Sequence, residues 1–162
     1  MSTQLNAAAA AIPVPKAPKN TRIGIVTAKW NSDITAALRD GAIATLRQAG
    51  LNPDTDIDCF DVPGAIELTF AASQLIEASA YNAIIVFGCV IRGDTPHFDY
   101  VCQSVTQGIT ALNADCDTPV IFGVLTVNDL QQALDRAGGR LGNKGSEAAI
   151  AAIEMVRFTQ KI

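Results

Sequence analysis

The sequence predicts a three-layer α/β/α sandwich around a mostly parallel four-stranded sheet, and three observations predict it. Short apolar runs rich in β-branched residues alternate with longer segments whose apolar residues recur every three or four positions. The alternation occurs four times before a last helical segment closes the chain. Repeated strand-then-helix units imply right-handed crossovers, and so a sheet covered by helices on both faces.

The first run, residues 22–27 (RIGIVT), has the character of a buried strand. Over residues 32–49 the period changes: Ile34, Ala37, Leu38, Ala42 and Leu46 fall on one helical face. Asn31 or Ser32 is placed to cap that helix and Gly50 to stop it. The pairing recurs at residues 57–62 with 67–78, 83–90 with 99–114, and 120–125 with 128–137. A final helix is expected over 143–158. The arrangement is of the flavodoxin-like type.

At 162 residues the chain fits one domain with a sizeable core. Residues 21–162 are read as that domain and residues 1–20 as a flexible N-terminal arm. The alanine run at 7–11 has no basic residue before it and meets Pro13, Pro15 and Pro18, so it is not read as a signal peptide. No apolar stretch approaches the roughly 20 residues a membrane span requires. A cytoplasmic protein is therefore expected. The formal net charge of −4, without a basic cluster, argues against nucleic-acid and anionic-membrane partners. A charged content of 17%, below the usual quarter or so, hints that partner subunits cover some surface. Cys59, Cys89, Cys102 and Cys116 form no C-x-x-C pair and no metal-type spacing with the single histidine, and are read as reduced, mostly buried thiols.

Open parallel sheets bind ligands at the carboxyl ends of their strands. The segments leaving those ends are 28–31, 63–67, 91–98 and 126–128. The third holds a turn glycine, Thr95, Pro96 and His97, the only histidine. Backbone N–H groups at the start of a following helix make an anion site, and an imidazole moves protons near neutral pH without tuning. An incidental histidine on a surface loop is the alternative. Glu67, after the turn at Pro63, Gly64 and Ala65, either favours a helix N-terminus by its charge or accepts hydrogen bonds from ligand hydroxyls. Trp30, the only tryptophan, is either a core anchor or a platform for a ring ligand. Near the C-terminus, the glycine-dense link 136–145 is flanked by Arg136 and Lys144, either of which could meet a phosphate. A solvated basic loop is its plainer reading.

Taken together, Trp30-Asn31-Ser32, VPGAIE at 62–67, GCVIRGDTPHFD at 88–99, FGVLT at 122–126, Arg136-Ala137-Gly138 and GNKG at 142–145 make the chain resemble the lumazine synthases of riboflavin biosynthesis, from about Arg22 to the last helix. The resemblance implies condensation of 5-amino-6-(D-ribitylamino)uracil with 3,4-dihydroxy-2-butanone 4-phosphate to give 6,7-dimethyl-8-ribityllumazine, phosphate and water, with no cofactor and no metal. It implies that His97 transfers protons and that Arg136 binds phosphate, helped by Thr95 and the backbone at Asp94. Trp30 and Asn31 would meet the pyrimidine, with Ala65, Ile66 and Glu67 beside ring and ribityl chain. Cys89, Val90 and Ile91 would line the pocket, and Phe122 and Lys144 would close it.

In the family the phenylalanine, arginine and lysine positions come from a neighbouring subunit, so self-association is implied, with riboflavin synthase as a candidate further partner. The family's usual residue at the Trp30 position is phenylalanine. The larger ring is expected to admit riboflavin as a weak inhibitor. Some members are pentamers and others cages of sixty in which the arm pairs with a neighbour's sheet. Proline cannot donate to a strand ladder, so Pro13 and Pro15 point to a pentamer or a small assembly of pentamers. The short link between Ala137 and Lys144 points the other way. A flavin or lumazine carrier on the same scaffold would not need His97, Arg136 and Lys144 together. An electron carrier would show a serine- and threonine-rich loop where 28–31 stands.

Overall fold

Strand β1 (Ile23–Ala28) is buried along its whole length because both of its faces are covered. The computed structural model describes residues 13–162. In it β1 lies inside a sheet ordered β2 (Ile57–Val62), β1, β3 (Ala83–Ile91), β4 (Val120–Val127). The expected mostly parallel sheet is parallel throughout. Alternate side chains enter two cores. Ile23, Ile25, Ile85 and Phe87 meet α1 (Ser32–Gln48) and α5 (Lys144–Thr159) on one face. Val26, Ile84 and Val86 meet α2 (Glu67–Glu77) and α3 (His97–Asp115) on the other. Phe87 is fully buried, a burial that stabilises by about 1.5–3 kcal/mol.

Several boundaries differ from expectation, each for a local reason. The β3–β4 ladder continues through Val90↔Thr126 and Ile91↔Val127, so both strands run longer. Helix α4 (Leu130–Arg136) consequently starts late, capped by Asp129, which accepts from the Gln132 N–H at 2.9 Å. Helix α3 begins at His97, two residues before the expected start, because Pro96 fits the N-terminus of a helix. Asn31 does occupy the N-cap position of α1, but in the left-handed region (φ 56°), and its side chain makes no cap bond. Its Nδ2 instead donates to the Cys89 carbonyl at 2.9 Å, tying the first loop to β3.

The glycine-dense link is an ordered hairpin, β5 (Ala137–Gly139) with β6 (Gly142–Asn143), rather than a plain solvated loop. Gly138 (φ 108°) and Gly142 (φ 82°) take backbone angles that side chains disfavour. Asp135 accepts from Arg140 Nε at 2.7 Å, and Arg136 Nη1 donates to the Leu141 carbonyl at 2.6 Å, so adjacent residues close the hairpin. Asn143 then caps α5, accepting from the Gly145 and Ser146 N–H groups at 2.7 and 3.3 Å. At Gly145 a side chain would collide with the Leu38 carbonyl where α5 crosses α1.

The expected arm also needs correcting. Residues 13–20 do not stand apart from the domain: Val14 and Ala17 pack on the core beside α1, and the Ala17 N–H donates to the Ala49 carbonyl at 2.9 Å. The rest of the arm, 1–12, lies outside the described residues. Of the four thiols only Cys89 is buried; Cys59 is exposed on edge strand β2, and Cys102 and Cys116 are half-buried.

Candidate active site

A cleft of about 430 Å³ opens at the carboxyl edge of the sheet, over the ends of β1, β2 and β3. It sits at the switch point of the strand order, where β1 has neighbours reached by crossovers on opposite faces. From the first loop it takes Trp30 and Asn31, and from the second Pro63 through Glu67, including Ala65 and Ile66. From β3 it takes Cys89, Val90 and Ile91, and from the third loop and α3 Gly93, Thr95, His97, Phe98 and Val101.

Trp30 is 75% exposed, which removes the core-anchor reading and leaves a flat apolar face for a ring ligand. Glu67 is the first residue of α2 and is exposed at the cleft, so its carboxylate can accept from hydroxyls. His97 is the first residue of α3, and its imidazole has no hydrogen-bond partner among the described residues. Burial pushes the Cys89 thiol up to about 11, so it packs as a neutral wall.

The backbone N–H groups of Gly93, Asp94 and Thr95 have no protein partner among the described residues, and they precede the N-terminus of α3. Unpaired N–H groups at a helix start favour an anion. Asp94 is exposed and does not line the cleft, although its neighbours Gly93 and Thr95 do.

Phe122, Arg136 and Lys144 do not line this cleft either. Phe122 lies on β4, half-buried against the core beneath α3. Arg136 ends α4 and Lys144 begins α5. Both reach Glu147: Arg136 Nη2 donates to Oε1 at 2.8 Å, and Lys144 Nζ to Oε2 at 3.3 Å. The Arg136 side chain is 12% exposed and that of Glu147 17%, so this cluster is held well inside the surface.

Sequence reasoning did not single out Phe98, Val101 or Glu147. A helix begun at Pro96 puts Val101 four residues after His97 on one face, so an earlier helix start would have found it. Glu147, three residues after Lys144 in the first turn of a helix, is an ordinary-looking charge that only the fold brings to Arg136. The fourth loop, 126–128, stays outside the cleft; Asn128 meets Arg92 instead.

A family model described as 6,7-dimethyl-8-ribityllumazine synthase matches residues 20–160. A protein of that name from Phocaeicola vulgatus is 55% identical over 149 residues, covering 92% of this chain and 88% of its own. Its namesake from Bacteroides fragilis is 56% identical over 137 residues, covering 85% of this chain and 95% of its own. That from Parabacteroides distasonis is 58% identical over 137 residues, covering 85% of each. With the match spanning sheet, cleft and hairpin alike, this chain belongs to the 6,7-dimethyl-8-ribityllumazine synthase family.

Proposed function

We propose that the cleft is one side of an active site that condenses 5-amino-6-(D-ribitylamino)uracil with 3,4-dihydroxy-2-butanone 4-phosphate, forming 6,7-dimethyl-8-ribityllumazine with loss of phosphate and water. The observation that carries the division of labour is the cleft itself. It combines an exposed indole, a free carboxylate, an unpaired run of backbone N–H groups and one imidazole within a single cavity. The pyrimidine stacks on Trp30, with Asn31, Ala65 and Ile66 at its edge and the ribityl hydroxyls on Glu67. Cys89, Val90 and Ile91 form the apolar floor. The phosphate lies against the backbone of 93–95, with the Thr95 hydroxyl as a further donor.

The chemistry asks little covalent help of the protein. The nucleophile is an aromatic amine and the electrophile a ketone, so holding the two in contact supplies much of the acceleration. As the amine adds to the carbonyl its nitrogen gives up a proton and the oxygen gains one, forming the carbinolamine. A second proton then leaves the nitrogen and a second reaches that oxygen, which departs as water to give the imine. Phosphate elimination then removes a carbon-bound proton while the C–O bonding pair leaves with the phosphate. The enol so formed takes up a proton to become a ketone, and the ribitylamino nitrogen adds to that carbonyl, whose oxygen leaves as a second water as the ring closes. His97 is the cleft's imidazole and is placed to carry these protons.

Arg136, Lys144 and Phe122 complete the site from an adjacent copy. Their position outside their own chain's cleft supports this, and the assembly proposed is a pentamer or a small assembly of pentamers. Pro13 and Pro15 interrupt the strand pairing a larger cage would draw from the arm. Sedimentation of the purified protein is expected to show particles of pentamer size or a small multiple of it; a profile dominated by megadalton particles would overturn that assembly. Both substrates are small and polar and one is phosphorylated, which supports a cytoplasmic location.

The test of the activity is direct. Mixing the two substrates with purified protein is expected to produce the lumazine chromophore well above the spontaneous rate. Product appearing no faster than that background defeats the enzyme reading.

A further inference from the structure

Nothing in the cleft holds the His97 imidazole by a hydrogen bond among the described residues, so its place depends on where the first turn of α3 is set. That turn has no side-chain cap; its N-cap residue is Pro96. Among the described residues, the side chain that reaches this turn by hydrogen bonds from outside is Arg92. The Arg92 guanidinium lies over the Phe98 ring, 4.1 Å from its centroid, and forks onto Asp99, with Nη2 to Oδ1 at 3.0 Å and Nη1 to Oδ2 at 3.5 Å. Its Nε reaches Asn128 Oδ1 at 3.3 Å, and its backbone N–H donates to the Val127 carbonyl at 2.9 Å. Arg92 thus joins the two residues that follow His97 to the end of β4. The anion-favouring backbone of 93–95 is strung between those two anchor points.

We infer that Arg92 is a positioning residue for the proposed condensation: through Phe98 and Asp99 it sets the first turn of α3, and so the direction of His97 into the cleft. The inference rests on the functional reading above. As an ion pair alone, Arg92 and Asp99 are too exposed to matter much for stability. Their importance is geometric, since a misplacement of about 1 Å at a reacting group can cost roughly a hundred-fold in rate. Lysine keeps the charge, but cannot stack on Phe98 and fork onto Asp99 at once.

The experiment compares the unaltered protein with Arg92→Lys, Asp99→Asn and the double variant, measuring kcat and both KM values. Arg92→Lys is expected to lower kcat about ten-fold while each KM moves less than about two-fold. Asp99→Asn, which leaves the arginine in place, should lose a similar factor, and the double variant no more than either single one. If Arg92 instead held the phosphate directly, lysine would preserve turnover, and any loss would fall on the KM of the butanone phosphate alone. That result overturns the inference, as does independent, multiplying loss in the double variant. If the unaltered protein makes no product above background, the functional reading itself falls. If it is active and Arg92→Lys matches it, only the role of Arg92 falls.

Discussion

The cleft presents a histidine, a glutamate and a threonine whose side chains bind nothing else among the described residues. The corner where the hairpin meets α5 holds two cations and a carboxylate that satisfy one another. The first region is open, and the side chains that place it lie behind the groups it presents: Asn31 Nδ2 tethers the Trp30 loop to β3, and Arg92 holds the turn of α3 that carries His97. The second is closed and set by side chains: Arg136 is held by the Leu141 carbonyl and by Glu147. Groups left unpaired are free to meet a substrate. Groups already paired keep a fixed direction whether or not a ligand is present. A site assembled from both would put its adaptable half on one copy and its rigid half on the next.

Substitutions at the two regions should therefore fail differently, and the sharpest contrast lies between their central residues. His97→Ala is expected to lower kcat by about a hundred-fold with little change in either KM. That is the low end of the range for acid–base catalysis, because the amine needs no activation to attack. Arg136→Ala is expected to raise the KM of the butanone phosphate roughly ten- to thirty-fold, the worth of a charge-assisted hydrogen bond of about 1.5–2 kcal/mol. Its effect on the KM of the pyrimidine should be slight. Steady-state kinetics with each substrate varied in turn separates the two; equal effects of both variants on kcat and KM would erase the distinction between the regions.

The open half is largely legible in the sequence and the closed half is not. β1 and β3 are legible as strands because strands buried on both faces give unbroken apolar runs, and the carboxyl-edge rule then places Trp30, Ala65, Glu67 and His97 together. The hairpin eluded the reading because glycines signal unusual backbone angles without saying whether they are fixed. Here side-chain bonds from Asp135 and Arg136 fix them. Glu147 eluded it because its partner Arg136 lies eleven residues away across that hairpin. Asn31 was a cap by residue type, but the left-handed backbone turns its amide toward Cys89 instead.

The closed corner makes its own prediction, smaller in kinetics and visible in stability. Glu147→Gln leaves Arg136 and Lys144 without their shared counter-charge in a half-buried site, at a cost of about 1–3 kcal/mol. Thermal unfolding should fall by several degrees, while His97→Ala, at an exposed cleft position, should leave it nearly unchanged. A Glu147→Gln protein as stable as the unaltered one would mean that the corner is no more rigid than the cleft. The direction at Asp135 agrees with a rigid hairpin: the Gln131 hydrogen bond, aided by Arg140, holds its carboxyl below the usual carboxylate range. Its contribution is present above the ordinary aspartate pKa and is lost as pH falls through the lowered value.

The smallest expected effect probes how adaptable the open half is. The Trp30 ring presents a large exposed face to the cleft, and aromatic stacking adds about 0.5–1.5 kcal/mol beyond area burial. A flavin ring is larger than the pyrimidine and can use that face, so riboflavin is expected to bind weakly and compete with the pyrimidine. Because Trp30 is the only tryptophan, its fluorescence reports this contact alone. Riboflavin should quench it saturably, and Trp30→Phe should weaken riboflavin inhibition a few-fold, about what the lost ring overlap is worth. The rigid corner gives no reason for any change in the KM of the butanone phosphate in that variant. Titration without quenching would remove the flavin contact and leave Trp30 as a platform for the smaller ring only.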